Sequence, residues 1–381
     1  MIEYAVPGGL PLRAREHGRI VWTFAYNPPV LSGGSRGLRG RRLSSWFAKL
    51  GALMDRAAFR PQTLPDDLVT GIALLPAIVA GLVIFKLPAL QMLVIALAAG
   101  TLGLIASRLL WRRQLDRYGA SPLLAPIFGV ALVGAGADLL VSVAVAALAV
   151  VLELLRARFL PAIRAQAGLI AYAAIALVTR GAPFKYINPA NGAPFGDPIG
   201  TWYQFFSPAS ASMDPVRLYV GNVPGPVFAT SLLAVAVGVA WLAYARRVSL
   251  VVLFGFFTGS LLAIYTLRWD TVFQLDSGPT WFVAGLLLAD RRLLPDSWAV
   301  RPTLGFAAGL FAVGLRHQGT WLSGHGLEVA FFTVAIIQTV MAIVVVVVWG
   351  ASVAMERWRR TRRLRQREAN LRLVKPASRA T

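Results

Sequence analysis

The sequence predicts an all-α integral membrane protein with about ten transmembrane helices. Of its 381 residues, 57% are apolar and only 14% are charged, and the mean hydropathy is +0.63. These values lie outside the range of soluble globular chains. Apolar runs near the ~20 residues that a bilayer requires recur along the chain, and arginines concentrate in every second connection between them. We therefore expect a multi-pass protein in contact with the lipid bilayer.

The first 61 residues are predicted to form a basic cytoplasmic arm. Residues 1–66 hold ten Lys/Arg against four Asp/Glu, and the stretch 33–42 is rich in Gly and Arg. Residues 1–43 are therefore expected to be flexible. Within 44–60, apolar side chains recur at helical spacing on one side, which predicts a helix. It would lie either in the cytoplasmic membrane interface or against the protein's own surface.

Ten spans are predicted within the membrane domain, residues 62–350. The third and fourth are short and meet at the small residues 134–136, so they form either one long helix or a broken pair. The predicted spans are 67–86, 89–110, 122–136, 138–155, 161–179, 226–245, 247–267, 278–290, 302–316 and 326–350.

The distribution of arginine predicts the orientation. If the N-terminal arm is cytoplasmic, the connections after spans two, four, six and eight all carry arginine clusters, whereas the other connections carry few basic residues. The positive-inside rule then places both termini in the cytoplasm and the long loop 180–225 outside. The expected location is the inner (plasma) membrane of the cell.

The tail, residues 351–381, is also basic, with ten Lys/Arg against two Asp/Glu over 356–381. It is interpreted as a cytoplasmic helix lying on anionic lipid or as a docking site for an acidic partner. Because the basic residues flank apolar spans, the positive-inside interpretation is favoured over nucleic-acid binding.

The outer loop 180–225 is the long part of the middle that cannot form a membrane helix. Pro and Gly recur through it and set turns, as at Asn188-Pro189 and at residues 222–225. Irregular backbone beside a watery cavity is where a membrane protein can handle a ligand, and helices that begin after such turns can face an anion. Four aromatic residues of the loop are predicted either to stack on a cofactor ring or to form an interfacial belt: Trp202, Tyr203, Phe205 and Phe206.

Acidic residues in or beside the spans are candidates for an ion or proton path, because a charge in the bilayer is unfavourable unless it has a function or a partner. Asp138 and Glu153 share a helix face only if the fourth span is continuous. Asp290 lies beside two arginines, so a local ion pair explains it equally well. The candidates are Asp138, Glu153, Asp276, Asp290 and Glu328.

The residue inventory excludes several kinds of chemistry. The chain has no cysteine, so it can hold no iron–sulfur cluster by thiolates. Its three histidines are scattered and show no metal-ligand spacing. It also lacks the Ser/His/Asp arrangement, the paired carboxylates and the phosphate-binding loop that would suggest a hydrolase or a kinase.

Several local patterns, in the same order along residues 62–345, resemble the membrane subunits RnfD and NqrB of the Rnf complex and the Na⁺-translocating NADH:quinone reductase. They are IALLPAIVAGLVIFKLP at 72–88, YINPA at 186–190, GPVFATSLLAVAVG at 225–238, SGPTWFVAGLLLAD at 277–290, and Arg316 followed by GLEVAFF at 326–332. The third pattern keeps Thr230 and Ser231 of the family's run but has Ala229 in place of its Glu.

The resemblance implies two similar halves with interrupted helices and a role as the membrane subunit of an electron-transport complex, coupled to Na⁺ or H⁺ movement. In that family an outer loop carries FMN, joined through its phosphate to a Thr. The matching segment here is FSPASASMDP at 206–215, where Ser212 occupies the acceptor position and Ser210 replaces the family's Gly. These serines are otherwise turn-formers in a Pro-rich loop.

The predicted cofactor-binding residues are Ser210, Ser212, Asn188, Asn191, Asn222, Gly225, Thr230 and Ser231. Redox partner subunits or a flavoprotein would supply the remaining electron-transfer steps. The alternative function is a transporter or channel for a small solute on the same scaffold without a redox role, since interrupted helices suit a midplane site. A third interpretation is a scaffold that recruits partners through its basic ends.

Overall fold

Helices dominate the computed structural model, which describes residues 13–16, 19–22, 64–110, 121–160, 163–196, 215–269, 271–295, 297, 299–317 and 326–374. The chain divides into two compact units, residues 1–59 and 60–381. In the first unit, strands β1 (Arg13–Glu16) and β2 (Arg19–Trp22) pair antiparallel, with Arg13 opposite Trp22. The arm that was expected to be flexible therefore contains a short hairpin, in which Ile20, Val21 and Trp22 favour extended backbone. The predicted helix 44–60 lies outside the described residues.

The second unit contains the apolar helices. Two short strands, β3 (Tyr186–Ile187) and β4 (Pro194–Phe195), interrupt them as an antiparallel hairpin. The helices are α1 (Asp66–Phe85), α2 (Leu87–Leu110), α3 (Leu124–Ala131), α4 (Leu139–Phe159), α5 (Ala167–Val178), α6 (Pro215–Val220), α7 (Leu232–Tyr244), α8 (Leu250–Leu267), α9 (Thr271–Leu275), α10 (Gly278–Trp281, continued by a π-helical segment Phe282–Leu288), α11 (Val300–His317) and α12 (Gly326–Val374).

Five helices in the described part of the chain are long and apolar enough to cross a membrane: 66–85, 87–109, 139–159, 250–267 and 329–352. Apolar helices of 10–17 residues lie at 167–178, 232–244 and 278–288. At 1.5 Å per residue, such helices reach only ~15–25 Å. The prediction of an all-α, multi-pass membrane architecture is confirmed at this level.

The third and fourth predicted spans are a broken pair, since α3 ends at Ala131 and α4 begins at Leu139. Neighbouring loops bind the backbone between them. The N–H groups of Gly134 and Gly136 donate to the carbonyls of Pro183 and Lys185, each at 2.9 Å. The carbonyl of Val133 accepts from the N–H of Val227 at 2.9 Å. An interrupted helix is tolerated at membrane depth because such contacts satisfy its backbone.

The buried core includes the place where the short helix α3 meets the π-helical segment that continues α10. Phe128 of α3 and Phe282 of the π-helical segment are both buried, and their rings pack edge to face with centroids 6.2 Å apart. Around them, α1 packs against α7 and α5 packs against α12. Many of the outer faces of the long helices carry exposed apolar side chains, as expected for contact with lipid.

The tightest helix pair is α8 with α11. Two glycines four residues apart on α8 face two on α11: Gly255 and Gly259 against Gly305 and Gly309. A Cβ at Gly309 would collide with the carbonyl oxygen of Phe256, and one at Gly259 with that of Phe306. Small residues at this spacing let helix backbones approach closely.

The last helix, α12, runs unbroken for 49 residues and crosses the boundary predicted at 350/351. The described part of the tail, residues 351–374, is helical as expected, and it continues the last apolar helix directly. Arg, Glu and Gln dominate the sequence after residue 355, and these residues favour helix.

Candidate functional site

The helix ends converge on two opposite regions. We call the region around the β3–β4 hairpin the hairpin end, and the region around Glu153 and Arg292 the charged end. Helix α4 connects the two, since Asp138 precedes its first residue and Glu153 lies near its last turn. Fifteen residues separate these two side chains, or ~22 Å along a helix.

At the hairpin end, a pocket of about 490 Å³ lies beside the hairpin. Its volume falls within the ~300–1,000 Å³ of small-molecule sites. Two cations, Arg180 and Lys185, are exposed, Phe195 is half-buried, and Tyr186 is buried. The described lining is Gly136, Arg180, Gly181, Phe184, Lys185, Tyr186, Ile187, Pro194, Phe195 and Gly196. The pocket can therefore offer cations to an anionic group beside an aromatic wall.

The predicted cofactor residues Asn188 and Asn191 shape the hairpin itself. The Oδ1 of Asn188 accepts from the N–H of Ala190, and the Oδ1 of Asn191 accepts from the N–H of Ala193, each at 3.0 Å. These side-chain oxygens are the acceptors of Asx-type turns. Neither asparagine lines the pocket described above.

A second set of predicted residues lies in the turn before α7. Ser231 caps that helix, since its Oγ accepts from the N–H of Ala234 at 3.3 Å. Thr230 and Gly225 are buried, and Asn222 is half-buried. Residues 131–137 contact this turn on one side and the hairpin on the other, so the structure brings both predicted sets to one end of the molecule. Ser210 and Ser212 lie outside the described residues.

Two predicted ion-path residues also belong to the hairpin end. Asp138 is exposed and makes no side-chain cap at α4. Asp276 accepts a hydrogen bond from the hydroxyl of Tyr219 at 2.7 Å. That hydrogen bond and the charge of Asp276 raise the pKa of Tyr219, because both favour the neutral phenol.

The hairpin end also holds a buried pair that the sequence interpretation did not assign to a site. Arg316 donates through Nη1 to the Oε1 of Gln274, and both side chains are buried. The hydroxyls of Ser277 and Thr280 lie 3.1 Å apart beside them.

At the charged end, Glu153 is 4% exposed and lies at the centre of a network. Its Oε1 accepts from the N–H of Ser121 at 2.8 Å and from Nη2 of Arg156 at 2.7 Å, while its Oε2 accepts from Nε of Arg156 at 3.0 Å. The hydroxyl of Ser121 donates to Asp67. A buried carboxylate is stable only with such partners.

Asp290 and Arg292 extend the network from the other side. Arg292 donates through Nη2 to Oδ2 of Asp290 at 2.6 Å and through Nε to Oδ1 at 3.2 Å, and it approaches Asp67 at 3.9 Å. Burial lowers the pKa of Arg292, but the charge and hydrogen bonds of Asp290, together with the charges of Asp66 and Asp67, raise that pKa overall. Asp66 pairs with Arg247 nearby. The ion-pair interpretation of Asp290 is therefore correct, with Arg292 as its partner.

A cavity of about 270 Å³ opens within this network. The polar residues that line it come from separate parts of the chain: Asp66, Ser121, Glu153, Arg156, Arg164, Gln166 and Arg292. Glu153 thus faces a polar cavity, whereas Asp138 lies at the other end of the same continuous helix. Glu328 lies in the first turn of α12, and the structure describes its backbone only.

The sequence interpretation missed Asp66, Asp67, Ser121, Arg156, Arg164 and Arg292 as members of this site. The predicted topology could have indicated that these residues lie close together. The start of the first span, the ends of the fourth and eighth and the start of the fifth were all predicted on one membrane face, and each carries charged residues. No protein-family model matches the chain, and no curated protein sequence matches it either.

Proposed function

We propose that the chain is the membrane subunit of an electron-transfer complex that binds a flavin phosphate at its hairpin end, on the non-cytoplasmic face. The pocket beside the β3–β4 hairpin carries this proposal. It offers Arg180 and Lys185 to a phosphate and Phe195 and Tyr186 to a planar ring. Its wall reaches Gly196, and the segment with Ser210 and Ser212 follows in the chain.

The residues present fit FMN in charge, in aromatic character and in volume. When bound, a flavin supplies one- and two-electron transfer. The chain would hold the phosphate by charge-assisted hydrogen bonds and cover the ring with apolar side chains. With a flavin adenine dinucleotide as donor, attack of the Ser212 hydroxyl on the flavin-side phosphorus would break the pyrophosphate bond, release AMP and leave FMN attached covalently as a phosphoester.

The proposed scaffold has ten spans in two similar halves, α1–α5 and α7–α12, and the helix packing supports it. In the first half, the second span α2 packs against the fourth span α4, and α4 packs against the fifth span α5. In the second half, α8, α11 and α12 are the second, fourth and fifth spans, and they pack in the same order. The third helix of each half is short, and the two third helices meet at Phe128 and Phe282. Like helices pair across the halves, as α1 with α7 and α5 with α12.

The orientation proposed for this scaffold places the charged end in the cytoplasm of a plasma-membrane protein. All the residues of the Glu153 network fall on the side that the arginine distribution assigns to the cytoplasm. Its buried carboxylates are suited to coupling electron transfer to H⁺ or Na⁺ movement. Redox partner subunits or a soluble flavoprotein would complete the electron path.

Purification from the native host tests the proposal. Flavin absorbance should accompany the membrane protein, and flavin fluorescence should survive a denaturing gel if the bond is covalent. Ser212→Ala should then abolish that fluorescence. The double variant Arg180→Gln/Lys185→Gln should release non-covalent flavin, whereas Lys86→Gln, an exposed lysine that does not line the pocket, should not. Absence of both bound and extractable flavin would contradict the proposal.

A second candidate function is ion or small-solute transport without a redox role. The charged cavity favours it, because its lining comes from both proposed halves and includes the short helix α3, and transporters bind substrates between repeats beside interrupted helices. Proteoliposomes separate the two functions. Uptake of radioactive Na⁺, or a pH change reported by a dye, without any electron donor would support a transporter. Uptake that requires a reduced donor would support the redox-coupled subunit.

A further inference from the structure

The last helix, α12, carries a strongly basic segment beyond its apolar part. The candidate membrane span covers residues 329–352, and the helix continues without a break to Val374. We call residues 353–374 the tail helix. Its sequence holds eight arginines and two glutamates. Arg359 and Arg362 are exposed, so the tail helix offers positive charge to the surroundings of the protein.

The contacts described within the tail helix neutralise little of this charge. Glu356 and Arg360 approach each other at 3.9 Å with both side chains largely exposed, and such surface pairs are weak. Arg362 lies over the ring of Trp358, 5.2 Å from its centroid, and a cation–π contact leaves the charge in place. Because the chain has a net charge of +21, a second copy of it would repel the tail helix.

The length of the tail helix decides which negatively charged surface it can reach. An unbroken helix from Ser352 to Val374 rises about 33 Å. Lipid head groups extend about 5–8 Å beyond the hydrocarbon, and their field decays within a Debye length of about 8 Å at physiological salt. Even at a tilt of about 40°, the upper end of the usual range, Arg367 and Arg372 lie about 17 Å and 23 Å beyond the hydrocarbon. The outer arginines are therefore out of reach of the lipid.

The structure thus separates the two interpretations of the basic tail. A helix lying on anionic lipid requires a bend where the apolar span ends, and α12 has no break between residues 326 and 374. Lipid can pair with the arginines close to the span, such as Arg357. The arginines farther out are left for an anionic surface that stands above the bilayer.

We propose that the outer part of the tail helix, residues 363–374, binds an acidic surface of a soluble partner protein. The sequence places Leu364 and Leu371 two helical turns apart among the arginines. Apolar residues contribute to a protein interface, whereas contacts with a nucleic-acid backbone are made by charged and polar groups. A protein therefore fits this segment better than a nucleic acid does.

The position of the tail helix is tested first, with the full-length protein in lipid nanodiscs. Because the chain has no cysteine, a fluorophore can be attached at Asn370→Cys or, as the control close to the span, at Trp358→Cys. A phosphatidylcholine with a spin label on its head group should quench the control fluorophore. It should leave the fluorophore at residue 370 unquenched, with or without phosphatidylglycerol in the nanodisc. Quenching at both positions would show a helix lying on lipid and would overturn the proposal.

The partner is tested by a photo-crosslinking amino acid at Gln366 in the native host, with sequencing of the crosslinked peptide. The peptide should come from an acidic surface of a soluble protein. The double variant Arg365→Glu/Arg367→Glu should lose the crosslink, whereas the control Arg357→Glu/Arg359→Glu close to the span should keep it.

Charge exchange with the purified partner completes the test, with binding measured to the protein in phosphatidylcholine nanodiscs. The Arg365→Glu/Arg367→Glu variant should bind at least about tenfold more weakly than the wild type, because like charges then face each other. Lysines in place of the partner's crosslinked carboxylates should restore its binding. A crosslink to nucleic acid or to lipid alone, a crosslink that persists in this variant, or failure of the exchange to restore binding would overturn the proposal.

Discussion

At the scale of single residues, Glu153 best illustrates how burial and partners decide the behaviour of a charge. The sequence marks it as an acid within an apolar span, and the structure surrounds it with Arg156 and the N–H of Ser121. Because the pair is buried, removal of one partner leaves an uncompensated charge. Glu153 therefore has a structural role in addition to any role in an ion path.

Glu153→Gln should lower the free energy of unfolding by about 3 kcal/mol, because Arg156 would remain desolvated without its carboxylate. Chemical or thermal unfolding in detergent, followed by circular dichroism, measures the change. Glu356→Gln provides a matched control, since Glu356 pairs with Arg360 only at 3.9 Å and both side chains are largely exposed. The control should change stability by less than about 0.5 kcal/mol. Similar effects of the two substitutions would contradict the buried network.

The Tyr219–Asp276 hydrogen bond predicts a pH dependence at high pH. The pKa of Tyr219 is raised in the folded protein, so folding favours the neutral phenol. This contribution to stability is fully present below the ordinary tyrosine pKa of ~10, and it is lost as the pH rises through the folded-state pKa. A spectroscopic titration of tyrosinate should show a late-titrating component that is lost in Tyr219→Phe. An unchanged titration curve in that variant would refute the assignment.

At the scale of elements, the contact of α8 with α11 shows how glycines spaced four residues apart on each helix let the two backbones approach closely. The sequence contains Gly255, Gly259, Gly305 and Gly309 as two pairs with a spacing of four. The sequence interpretation treated their helices as ordinary spans. It could not identify the pairing, because a spacing of four on each helix does not say which helix is the partner.

Gly309→Ala should destabilise the protein by about 1–3 kcal/mol, the usual effect of overpacking, because the new methyl group would meet the carbonyl of Phe256. Gly314→Ala lies on the same helix with nothing within 4 Å of the added carbon. That control should be neutral or slightly stabilising, since alanine favours helix more than glycine does. Melting temperatures in one detergent compare the two variants, and an equal loss in both would exclude close packing as the cause.

The continuity of α12 makes a geometric prediction. Residues 348 and 366 are 18 positions apart, or five helical turns, so an unbroken helix separates them by about 27 Å. Spin labels at Val348→Cys and Gln366→Cys in lipid nanodiscs should give this distance by pulsed electron paramagnetic resonance. A clearly shorter distance would mean that the tail turns away from the helix axis, as expected for a separate helix lying on the bilayer surface.

At the scale of the whole molecule, the helix ends gather in two opposite regions, and both candidate sites lie in these regions. The hairpin end gathers Asn188, the turn before α7 and Asp276, while the charged end gathers Asp66, Glu153 and Asp290. The predicted orientation treats these two sets as lying on opposite membrane faces. In that orientation the pocket beside the hairpin and the cavity at the charged end would face different compartments.

The absence of cysteine allows a direct test of that orientation, because single cysteines can be introduced without any background. Asn191→Cys at the tip of the hairpin should react with a membrane-impermeant maleimide on intact cells. Arg291→Cys at the charged end should react only after permeabilisation. Both residues are exposed in the structure, so accessibility within the protein does not limit the reaction. The opposite pattern would reverse the orientation and place the pocket beside the hairpin in the cytoplasm.

The sequence by itself determined the properties that depend on composition and local spacing. Apolar runs of sufficient length must avoid water, which is why the membrane class follows from them. Pro and Gly favour turns over a long helix in the described stretches 180–196 and 215–231, as the turns at Asn188 and before Ser231 confirm. The pairing of Asp290 with an adjacent arginine was likewise within reach of local reasoning.

Only the tertiary structure decided which distant residues meet. Ser121, Glu153 and Arg292 come from separate connections and helices, and their contacts arise because interrupted helices end at the same depth. The break between α3 and α4 is stabilised by carbonyls of Pro183 and Lys185, which lie about fifty residues downstream. Such hydrogen bonds and ion pairs depend on atoms that no local pattern specifies, so packing of the whole chain was needed to place them.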